Sequence, residues 1–118
     1  MTHVRVCARL CRLDSALTSI SKGKTELVKL DSMGLTSASL ERVLAVLAKD
    51  NVGSNVMTIS LSDNLLNDDS CRQLIGALKL PQFCPSLLAI NLQGNTEISA
   101  AGYAVLNEVV TVRPEVQV

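Results

Sequence analysis

The chain has 118 residues, 47% of them hydrophobic but only 2% aromatic, and its 11 Lys and Arg balance 11 Asp and Glu to a net charge of zero. That length fits one domain with an almost wholly aliphatic core, and the charge balance argues against the extended basic face that nucleic-acid binding requires. No apolar run approaches the roughly 18 residues of a membrane span, the first residues lack a secretory apolar stretch, and Cys7, Cys11, Cys71 and Cys84 show no paired spacing, so the expectation is reduced thiols in an intracellular protein.

The chain opens on a predicted helix over residues 4–21. Val6, Leu10, Leu13, Leu17 and Ile20 recur at steps of three and four, which places them on one stripe. Arg5, Arg9 and Arg12 share another, and residues 1–24 carry these plus Lys22 and Lys24 against Asp14, five minus one, or +4. Two readings fit such a basic amphipathic helix: a cap on the apolar end of a repeat array, or a mitochondrial targeting element; the two coexist if the element is retained after import.

After a turn at Lys22, Gly23 and Lys24, residues 27–31 read as a strand. Side chains alternate along a strand, so Val28 and Leu30 point inward and Leu27, Lys29 and Asp31 outward. Thr36 or Ser37 is placed to cap a helix whose buried stripe is Leu40, Val43, Leu44 and Leu47, running to about Lys49.

A second strand and helix come next, with Ile59, Leu61 and Leu66 inward, Thr58, Ser60, Ser62 and Asp63 outward, and Leu74, Ile75 and Leu78 as the helix stripe. Asn67, Asp68, Asp69 and Ser70 supply oxygens that suit calcium, but they lack the alternate acidic ligands, glycine and distal Glu of a calcium loop. They fit a helix cap with favourable charge instead. Pro81 and Pro85 bracket Phe83 and Cys84, expected as a plug behind the helix exit.

The third strand turns Leu87, Ile90 and Leu92 inward and Ala89, Asn91 and Gln93 outward; its loop is one residue longer before Ile98. Ser99 is placed to cap a last helix that packs through Gly102, Leu106, Val109 and Val110, with Tyr103 peripheral. Pro114 stops it, and Val116, Gln117 and Val118 alternate as the opening of a fourth strand.

Residues 56–66, with Val56, Ile59, Leu61, Asn64 and Leu66 as fixed points, spell the pattern LxxLxLxxNxL. Thirty-one residues on stand Leu87, Ile90, Leu92 and Asn95; thirty-one back stand Thr25, Val28, Leu30 and Leu35, with Met33 where the asparagine would fall. The chain thereby resembles leucine-rich-repeat proteins of the ribonuclease-inhibitor-like subfamily, and more distantly the solenoids of tropomodulins and Ran GTPase activators. The resemblance implies an α/β fold: a short solenoid over residues 25–118 with a parallel β-sheet on its concave side and α-helices on the convex side, closed by the N-terminal helix of residues 1–24. It also implies that Asn64 and Asn95 hydrogen-bond the backbone of the turns.

Little in the chain speaks for chemistry. His3, Cys7 and Cys11 are metal-ligand types, yet positions i and i+8 stand about 12 Å apart in helical rise, so only a two-ligand half site completed by a partner is conceivable. No GxSxG elbow, phosphate loop or general base is visible. The expectation is a noncatalytic protein-interaction module without cofactor, metal or small-molecule substrate, a subunit or scaffold of a larger cytoplasmic complex or, on the targeting reading, a mitochondrial one. Its partner-binding residues would be Leu27, Lys29, Asp31, Thr58, Ser60, Ser62, Asp63, Ala89, Asn91 and Gln93 on the concave face. Val116 and Val118 would form a C-terminal edge open to a partner or a second copy. The competing class is a membrane- or nucleic-acid-contacting accessory protein that works through the basic helix.

Overall fold

The computed structural model describes residues 13, 15–22, 25–49 and 52–118. It is a small α/β globule in which three strands, β1 (Leu27–Lys29), β2 (Thr58–Ser60) and β3 (Ala89–Asn91), form a parallel sheet in sequence order. Between and after them run α1 (Ser37–Leu47), α2 (Asp68–Leu78), α3 (Ala100–Leu106) and α4 (Val109–Val112). Residues 15–20 are also helical. No helix among the described residues is long and apolar enough to cross a membrane.

The register steps by 31 residues. Leu27, Thr58 and Ala89 lie side by side, as do Val28, Ile59 and Ile90, and Lys29, Ser60 and Asn91. The Val28 row is buried against the helices because alternation sends every second side chain to that face. Leu40, Val43, Leu44 and Leu47 of α1 and Leu74, Ile75 and Leu78 of α2 meet it in one core, which Leu13, Leu17 and Ile20 join. The three-residue strands are shorter than expected: after β1 the chain turns at Ser32, whose φ of 54° is left-handed, and Asp63 (55°) and Gly94 (82°) repeat that turn at the same step.

Two of the helices, α2 and α3, start on side-chain caps. Asn67 caps α2 by accepting from the Ser70 N–H at 3.2 Å while Ser70 Oγ accepts from the Asn67 N–H at 3.1 Å, a reciprocal capping box. Ser99 caps α3 by accepting from the Ala101 N–H. Thr36 stands at the cap position of α1 but its hydroxyl makes no cap bond, and Ser37 donates instead to Asn67 Oδ1 at 2.7 Å.

Two expectations about the last helix fail. Val110 is 69% exposed, because the chain tightens after Leu106: Glu108 N–H bonds Val105 C=O and Val110 N–H bonds Asn107 C=O, three residues back. Three residues per turn instead of 3.6 rotates Val110 off the packed stripe. Gly102, expected from its small size to let the helix approach the strand layer, is buried against the Asp68 carboxylate and Ile98 instead: a Cβ there would stand 2.8 Å from Ile98 Cγ2 and overlap Asp68.

Candidate functional site

The expected binding residues fall on two surfaces, the open face of the sheet and the C-terminal end. On the sheet, Leu27, Lys29, Asn91 and Gln93 are exposed, Asp31, Thr58, Ser62 and Ala89 half-buried, and Asp63 exposed on the left-handed turn. The parallel register brings the strand residues into rows as expected. Ser60 departs from this: it is 9% exposed, and its hydroxyl donates to Asp31 Oδ1 at 2.6 Å. Asp31 also accepts from the Ser62 N–H at 3.1 Å. These bonds, led by that from Ser60 and aided by the Lys29 charge, hold the Asp31 carboxyl below its usual range against the opposing effect of burial. Ser60 therefore supports Asp31 and offers no hydroxyl to a partner.

Behind the face, two asparagines tie the units together. Asn64 Oδ1 accepts from the N–H groups of Met33 (2.9 Å) and Leu35 (3.1 Å), and its Nδ2 donates to the carbonyls of Leu30 (2.9 Å), Leu61 (2.9 Å) and Ser62 (3.1 Å). Asn95 repeats the scheme with Leu66 N–H (3.2 Å), Leu61 C=O (2.8 Å) and Leu92 C=O (2.9 Å). Both are buried, where an unpaired backbone group would be costly. At the helix starts, Asp68 accepts from the Ser99 N–H at 2.8 Å and hydroxyl at 2.5 Å, and these bonds, the hydroxyl's first, lower its pKa. Asp68 thus binds the next unit's cap.

The C-terminal edge is built otherwise than the alternation predicts. Val116 is 4% exposed and belongs to the core, so it is not an edge residue; Val118 is 46% exposed. Gln117 holds the segment on β3, donating its N–H to Leu88 C=O at 2.9 Å and accepting from the Ile90 N–H at 2.8 Å. The segment is anchored by a residue to which no sequence motif points. Arg113, the one charged residue buried among the described residues, donates from Nε to Leu78 C=O (2.9 Å) and from its terminal nitrogens to Cys84 C=O (2.9 Å) and Leu80 C=O (2.6 Å). Its cation satisfies the carbonyl end of α2, where the helix dipole favours positive charge. This pulls Val116 inward. No local pattern announces a bond to carbonyls 29 to 35 residues away.

Among the described residues no cluster of His, Cys, Asp and Glu is arranged to hold a metal ion, and Asp68, Asn67 and Ser70 are engaged in caps. Phe83 and Cys84 fill the core behind the α2 exit as expected. Burial pushes both Cys71 and Cys84 thiols up to about 11, Cys71 further helped by Asp68 and Cys84 opposed by Arg113, so neither is a thiolate nucleophile near neutral pH. His3, Cys7, Cys11, Arg5, Arg9, Arg12 and Lys24 lie outside the described residues. No protein-family model matches the chain.

Proposed function

We propose that the chain is a short leucine-rich-repeat solenoid that works as a noncatalytic protein-interaction module, a subunit or scaffold of a larger complex. The observation that carries this reading is the recurrence at 31 residues of one complete set of relations: strand register, left-handed turn, and an asparagine bonded to the backbone of the unit before it. In such an array the helices would lie on a convex side and Leu27, Lys29, Asp31, Thr58, Asn91 and Gln93 on a concave one, with the helix of residues 15–20 as part of an N-terminal cap. The mechanism is pre-organised shape. Side chains on a rigid ladder lose little freedom when a partner docks. The face is poor in the Trp, Tyr and Arg that dominate tight contacts, which favours permanent assembly with other subunits over stand-alone capture.

The test is affinity purification of the tagged chain from its source cell, with two sets of substitutions. Lys29→Glu with Asn91→Arg alters the sheet face, and Val110→Lys alters the C-terminal end. All three side chains are exposed, so melting temperature should not move by more than a few degrees. A partner that copurifies in stoichiometric amount and is lost with one set is the expected result. Copurification unaffected by both, or no stoichiometric partner at all, overturns the reading.

A further inference from the structure

We draw no further inference here: the strongest candidate, the exposed apolar patch that Leu27, Met57 and Leu88 form across the starts of the three strands, carries nothing because nothing in the structure shows what covers it.

Discussion

The seam between the first two units and the C-terminal end of the third are made from equivalent residues and closed by different means. At the seam, Asn64 reaches back and joins Leu30, Met33, Leu35, Leu61 and Ser62. At the end of the third unit Arg113 bonds the carbonyls of the α2 exit, and Gln117 pairs residues 116–118 with β3. The comparison teaches that the asparagine bonds of the seam recur at the 31-residue step, whereas the Arg113 guanidinium holds its region through bonds to carbonyls 35 and 29 residues back that follow no such step.

The largest effect should come from the anchor. Arg113→Ala strips the carbonyls of Leu78, Leu80 and Cys84 of their donors and frees the segment that buries Val116, which should lower unfolding stability by about 3 to 5 kcal/mol. Chemical denaturation measures it, and hydrogen exchange should show Gln117 and Ile90 amides losing protection first. A loss below about 1 kcal/mol would mean that Val116 packing holds the end without the cation.

Asn64→Ala tests the seam. With five bonds in a buried site it should cost about 1 to 3 kcal/mol, and Asn95→Ala, with three, should cost less. Equal losses for the two would show that the extra contacts to Met33 and Ser62 add nothing. A neutral Asn64→Ala would contradict the register itself.

A paired substitution separates the two faces of the terminal segment. Val116→Lys buries an unpaired charge and should destabilise by about 3 kcal/mol or more, whereas Val118→Lys should stay within about 0.5 kcal/mol. Thermal melts of the two proteins compare them directly.

The smallest effect lies on the sheet face. Asp31 has its folded pKa below the ordinary 3.8, so its bonds to Ser60 and Ser62 stabilise the fold above 3.8 and that stability is lost as pH falls through the lower folded value. Asp31→Asn should therefore flatten the acid limb of a stability-against-pH curve and leave the neutral plateau little changed. An acid limb identical to that of the parent chain would remove Asp31 from it.

Much of this molecule is legible in one dimension. The 31-residue recurrence of aliphatic positions and the two asparagines determine which side chains face the helices, which strands neighbour each other and in what register, because alternation and helical stepping are local geometry repeated. Ser and Asn before helix starts announce the caps at Ser99 and Asn67 for the same reason. What only the tertiary structure decided are relations between units with no period of their own. Ser60 turns from a presented hydroxyl into the donor that fixes Asp31; Gly102 yields its space to Asp68; Val116 goes inward because Arg113, 35 residues beyond Leu78, finds the unpaired carbonyls there. A pattern in the chain reports the side of its own element on which a residue stands, and the partner it meets across the fold is decided by which polar groups the packing leaves unsatisfied.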